Sequence, residues 1–151
     1  MENIMTLRDT ITLLLCFFLS ACTLSDRFSA VTFQQLTLLQ ARSSRFLQDA
    51  AQTPWEKETL CKDDRTIRQT FVQAEQVARQ RGDKRRLDSL ALLEKHYLRL
   101  YTRVIQRQQP LTYTQTKRYQ QQNHQVWQLA IQGECLRWGA HCDQGDRDGV
   151  Y

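Results

Sequence analysis

LDSLALLEKHYLRLYTRVI, Leu87 to Ile105, decides the fold. Leu90, Leu93, Tyr97, Leu100 and Val104 recur in steps of three and four, which puts them on one side of an α-helix. Leu87, Leu98, Tyr101 and Ile105 widen that stripe. The helix is expected to start after Asp83 and to stop before Pro110, since proline can follow a helix but not continue it. A helix apolar along one side must bury that side against something, and the flanking sequence offers three further helices. Upstream, Ile67, Phe71, Ala74 and Ala78 form a second stripe, with Asp63 or Asp64 as its expected N-cap and Gly82 as its C-terminal stop. Earlier still, Leu36, Leu39, Ser43, Phe46 and Ala50 form a third, within a helix expected over Ala30 to Gln52 and interrupted by Thr53-Pro54. Downstream, Thr112 and Gln115 have capping-box spacing, and Tyr119, Val126, Trp127, Ala130 and Ile131 lie inside the helix they open, which should end near Trp138-Gly139.

Four amphipathic helices joined by short connections specify an all-α chain, a small antiparallel four-helix bundle over residues 30–139. The polar run KRYQQQNHQ places the fourth helix at an edge, or along a groove. Residues 140–151 read as an irregular acidic tail. Composition agrees: 5 Gly and 2 Pro in 151 residues are too few for a barrel, a sandwich or a glycine-loop nucleotide fold.

The amino-terminal segment has a different logic. Ile11 to Leu19 (ITLLLCFFL) is much shorter than the ~20 apolar residues of a spanning helix, and has the length of a signal-peptide core. Leu19-Ser20-Ala21-Cys22 follows directly and resembles the lipobox of bacterial lipoproteins. That resemblance implies a lipoprotein signal peptide over residues 1–21, acylation of Cys22, and a lipidated tether over 22–29. It also implies outer-membrane localisation, because Thr23 stands where an Asp would retain such a protein at the inner membrane. No cofactor is expected beyond the covalent lipid on Cys22. Glu2 and Asp9 offset Arg8 in the segment before the apolar core; a start at Met5 would remove Glu2 and restore the positive charge that signal peptides carry there.

Removing residues 1–21 takes away one cation, Arg8, and two anions, so the formal charge rises from +5 to +6. No nucleic-acid-binding motif accompanies that charge, and no nucleic-acid partner is expected. Attraction to anionic lipid or to an acidic partner is the sharper reading; a solvated helical surface is the plain one. In an oxidising compartment Cys61, Cys135 and Cys142 allow one disulfide. An up-down bundle puts Cys61 and Cys135 at opposite poles, so Cys135–Cys142 is the favoured pair, with Cys61–Cys135 as the alternative.

Catalytic chemistry is hard to place. His96 and His124 fall mid-helix among polar neighbours. His141 adjoins Cys142, but the spacing to Cys135 supplies no zinc-like ligand set. Asp63-Asp64 is a cap before it is an acid–base pair. No nucleophile elbow, zinc-protease motif or phosphate-cradling loop occurs. Tyr97, Tyr101, Tyr119, Trp127 and Trp138 read as core aromatics, unless some of them line a groove. The chain is expected to be neither an enzyme nor a metal protein.

SSRFLQ (Ser43 to Gln48), CKDDRTIRQTFVQAEQVA (Cys61 to Ala78), HYLRLY (His96 to Tyr101) and Cys135 follow one another in an order that resembles the small helical pilotin lipoproteins of bacterial secretion systems. The chain departs from that pattern in lacking Leu-Pro after its first bundle cysteine and in having Cys142. The resemblance implies a Cys61–Cys135 bond, against the spacing argument. It also implies a partner: the C-terminal helix of a secretin subunit, held in a groove of the bundle while the lipid carries the complex to the outer membrane. No groove residue is transferred by it. The competing classes are an accessory lipoprotein of another envelope machine, such as a conjugation system, and an inhibitor of an envelope hydrolase.

Overall fold

A computed structural model describes residues 28–137. Four helices run in antiparallel succession: α1 over Ala30–Asp49, α2 over Lys57–Gln80, α3 over Lys84–Arg107 and α4 over Tyr113–Leu136. Among the described residues the fold is an all-α four-helix bundle without strands. The expected signal segment, the expected tether as far as Arg27 with Cys22, and the tail from Trp138 with His141 and Cys142 lie outside the described residues.

Each stripe that defined a helix faces the core. Leu36, Leu39, Ser43, Phe46 and Ala50 of α1, Ile67, Phe71, Ala74 and Ala78 of α2, and Leu90, Leu93, Tyr97, Leu100 and Val104 of α3 are all buried. Tyr119 and Trp127 are the buried apolar anchors of α4, with Val126, Ala130 and Ile131 packed beside them. Phe71 joins Trp127 and Tyr97 at ring-centroid distances of 6.0 and 6.3 Å, and Phe46 reaches Tyr97 at 5.9 Å. The centre is therefore an aromatic chain crossing all four helices.

The helix ends follow local chemistry. Ser29 caps α1, its hydroxyl accepting from the Thr32 N–H at 3.2 Å. Asp83 caps α3 through the Arg86 N–H at 3.0 Å. Thr112 and Gln115 complete the expected capping box of α4. Gly82 has φ of +65°, the left-handed conformation that lets the chain leave α2 and enter α3 within three residues. At the opposite end the Leu111 N–H donates to the Ala50 carbonyl at 2.9 Å, tying the α1–α2 and α3–α4 connections together.

One boundary needs correction. α2 begins at Lys57, before Asp63-Asp64, so neither aspartate is its cap. Leu60 is fully buried and starts the stripe; Asp64 continues it four residues later. A carboxylate can occupy a core stripe here because the Tyr97 hydroxyl donates to Asp64 Oδ1 at 3.0 Å and Arg68 Nε donates to both of its oxygens. α1 also stops at Asp49 and α4 at Leu136, slightly short of the expected ends.

α4 packs along α1, α1 along α2, and α2 along α3. The fourth side, between α3 and α4, is a thinly closed seam.

Candidate functional site

The seam is built from two facing stripes. On α3, Ser89, Leu92, His96, Arg99 and Arg103 are spaced three and four apart, one position outside the core stripe. On α4, Tyr119, Gln122, Val126, Leu129, Gly133 and Leu136 follow the same spacing. Two shallow depressions lie between them. One, of about 140 Å³, is lined by His96, Arg99, Leu100, Arg103, Tyr119 and Gln122. The other, of about 170 Å³, has Leu90, Leu93 and Ala130 among its walls with Leu36 of α1, Leu129 at its rim, and Arg86, Glu134 and Arg137 among its charged lining. Each is smaller than the roughly 300–1,000 Å³ that enclose a drug-sized molecule, and each has room for a side chain or two.

The seam has a polarity along its length. Leu92 and Leu129 are 70% and 71% exposed, and Leu129 lines the second depression. Toward the end of α3 the lining turns basic, with Arg99 and Arg103 exposed beside a half-buried His96. Burial depresses the His96 pKa, and the charges of Arg99 and Arg103 depress it further. The imidazole is thus neutral at neutral pH, and the cationic character of the depression comes from the two guanidiniums.

A second constellation closes the pole where the chain enters the bundle. Arg86 donates from Nε to Glu134 Oε2 at 2.9 Å and from Nη1 to Asp83 Oδ2 at 2.6 Å. Arg137 adds a donor to the same Asp83 oxygen at 3.1 Å. Glu134 Oε1 accepts from the Ser29 N–H at 2.7 Å. Asp83, Arg86 and Glu134 are all buried, and with Arg137 the four charges balance. This clasp fixes the first described residues against the starts of α3 and the end of α4. Its sequence signal was present: Arg86 extends the Leu90–Leu93–Tyr97 stripe, and Glu134 stands seven residues after Trp127, both on core-facing turns.

The cysteines lie apart as bundle geometry requires. Cys61, near the start of α2, is a free thiol with its sulfur 3.7 Å from the Tyr101 hydroxyl. Burial and that thiol push the Tyr101 pKa up to about 12. Cys135 is in a disulfide whose other half lies outside the described residues. The alternative Cys61–Cys135 pairing is therefore corrected: Cys61 belongs to the pole of the helix connections at Ala50 and Leu111, and Cys135 to the pole of the clasp, one helix length away. His124 is exposed, its Nδ1 3.2 Å from the Gln40 amide nitrogen. Tyr97, Tyr119 and Trp127 serve the core, while Tyr101 is half-buried beside it. Asn123, hidden in the polar run of α4, is fully buried and accepts from Trp127 Nε1 at 3.0 Å. Among the described residues no group of three metal-ligating side chains converges, and no helix is long and apolar enough to cross a membrane.

Comparison with protein-family models, with curated proteins and with solved structures gave no match.

Proposed function

We propose that this chain is a lipid-anchored outer-membrane adaptor, of the pilotin kind, which holds an amphipathic helix along the α3–α4 seam. The observation that supports this reading best is the seam itself: two parallel stripes, apolar at Leu92 and Leu129, basic at Arg99 and Arg103, on the one thinly closed side of the bundle. Charge complementarity defines the occupant. A helix with an apolar face and acidic residues toward one end would seat its apolar anchors between Leu92 and Leu129 and its carboxylates on the guanidiniums. The C-terminal helix of a secretin subunit is the proposed partner. Binding would couple folding of a disordered tail to burial of its apolar face. Cys22 supplies the anchor, and the adaptor performs no catalysis.

The test is affinity purification from detergent-solubilised envelopes, read by mass spectrometry. A secretin subunit should co-purify with the acylated chain. It should be lost with Leu129→Glu and weakened with Arg99→Glu, and it should appear at the inner membrane when Cys22→Ala replaces the anchor. Recovery of the secretin undiminished by Leu129→Glu would overturn the seam as its site. Recovery of a conjugation component instead would assign the chain to that machine, and inhibition of an envelope hydrolase on titration would make it an inhibitor.

A further inference from the structure

The turn between α2 and α3 reads RQRGDKRR, residues 79–86. Arg86 and Asp83 are consumed by the buried clasp. Arg79, Arg81, Lys84 and Arg85 are all exposed. Among the described residues, Glu75 is half-buried and 3.7 Å from Arg79, and the exposed Asp88 stands one turn into α3. The turn is thus a cap of four cations on one pole of the bundle.

That pole is also the one from which the chain leaves toward Cys22. The Ser29 N–H is bound to Glu134, and Glu134 is bound to Arg86 next to the basic turn. Phe28 stands six residues after Cys22. Six residues reach at most about 20 Å when fully extended. The opposite pole lies about 36 Å further, the length of a 24-residue helix. Surface potentials decay within a Debye length of roughly 8–10 Å, and the near pole is the one that the tether holds closest to the charge of a membrane to which Cys22 is tied.

We propose that the Arg79–Arg85 turn is a membrane-contacting surface that binds anionic phospholipid headgroups. It sets the bundle upright, with the α3–α4 seam running away from the bilayer. This inference rests on the lipid-anchor reading of Cys22, and its test is independent of acylation. The lipid source is a bilayer surface; free phosphate lacks the multivalency that four dispersed cations need.

The experiment uses the unacylated chain from residue 22 to 151 with Cys22→Ser. Binding is measured by co-sedimentation with vesicles of phosphatidylcholine alone, or with about a third phosphatidylglycerol. Binding is expected on the anionic vesicles only, weakening as salt rises. Each basic residue at a membrane surface contributes roughly fivefold in partitioning, so Arg81→Gln with Lys84→Gln should lose roughly 25-fold. Lys57→Gln with Lys62→Gln makes the same change in net charge at the far pole and should lose less than about twofold. Equal binding to neutral vesicles, no binding to anionic ones, or equal losses from the two lysine-containing pairs would each overturn the proposal. A Gln pair whose thermal melt no longer matches the parent is replaced by Arg79→Gln with Arg81→Gln, under the same criteria. Absence of labelled palmitate on Cys22 in cells would instead sink the anchor reading, whatever the vesicles show.

Discussion

At the pole where the chain enters the bundle, Asp83, Arg86, Glu134 and Arg137 lock their charges together beneath an exposed basic turn. At the far pole, Asp49, Glu56, Glu58 and Asp63 are interspersed with Lys57 and Lys62, and the helix connections are held by a backbone hydrogen bond between Leu111 and Ala50. Below it, Asp64, Tyr97 and Arg68 share a smaller polar network against the aromatic core. One pole is therefore fastened by buried charge, the other by packing with a few hydrogen bonds. The difference matters for the proposed function, because an adaptor tethered at Cys22 would transmit force through the pole nearest its anchor.

The comparison breaks most sharply at Arg86. Replacing it by Met leaves Glu134 buried without its main counter-charge and strips one of two partners from Asp83. Losing one member of a buried pair costs about 3–5 kcal/mol, because the remaining charge is stranded in low dielectric. Denaturant unfolding of Arg86→Met should show that loss. Arg86→Met combined with Glu134→Leu should recover most of it, since both sides of the pair are then apolar while Arg137 still holds Asp83. A loss under about 1 kcal/mol for the single variant would mean that the clasp does not close this pole.

The cysteines sharpen the same contrast. Cys135→Ser removes a disulfide at the clasp and should cost about 2–4 kcal/mol. Cys61→Ser replaces a free, half-buried thiol by an isosteric hydroxyl that can still meet Tyr101, and should change stability by less than about 0.5 kcal/mol. Alkylation of the oxidised chain should label Cys61, and label Cys135 only after reduction. In the far half, Tyr97→Phe removes the hydroxyl that donates to Asp64 but leaves Arg68 on the same carboxylate. The expected loss is about 1–2 kcal/mol by thermal unfolding, smaller than at Arg86 because Asp64 keeps a charged partner.

The helices were legible because their stripes are long and clean, as the buried set from Leu90 to Val104 shows. What was not legible sits where a polar residue occupies a core position. Asp64 read as a cap and hid the first turns of α2; Arg86 and Glu134 fall outside the apolar sets that marked their helices; Asn123 was lost in a polar run. Binary patterning assigns such residues to solvent, and only three-dimensional partners such as Tyr97, Asp83 or Trp127 reverse the assignment. The seam was foreseeable only as an edge for the fourth helix. Its lining needs the register between α3 and α4, which no single-helix pattern contains.

The smallest effect lies at the far pole and depends on pH. The Asp63 pKa is raised from 3.8 to about 6, first by burial and then by a hydrogen bond and repulsion from Asp49, with Arg45 and Lys62 pulling the other way. A carboxyl that holds its proton more tightly folded than unfolded favours the folded state while protonated. That contribution is present below the unfolded value and is lost as pH rises through about 6. Wild type should therefore lose a little stability between pH 4 and pH 7 at this site. Asp63→Asn keeps the neutral form at every pH. It should match wild type near pH 4 and exceed it by less than about 1 kcal/mol near pH 7, the gain limited by solvent screening of a half-exposed pair. Melts of the two proteins at both pH values decide it: a wild type more stable than Asp63→Asn near pH 7 would show that Asp63 is stabilised as an anion, and that the far pole is fastened by charge after all.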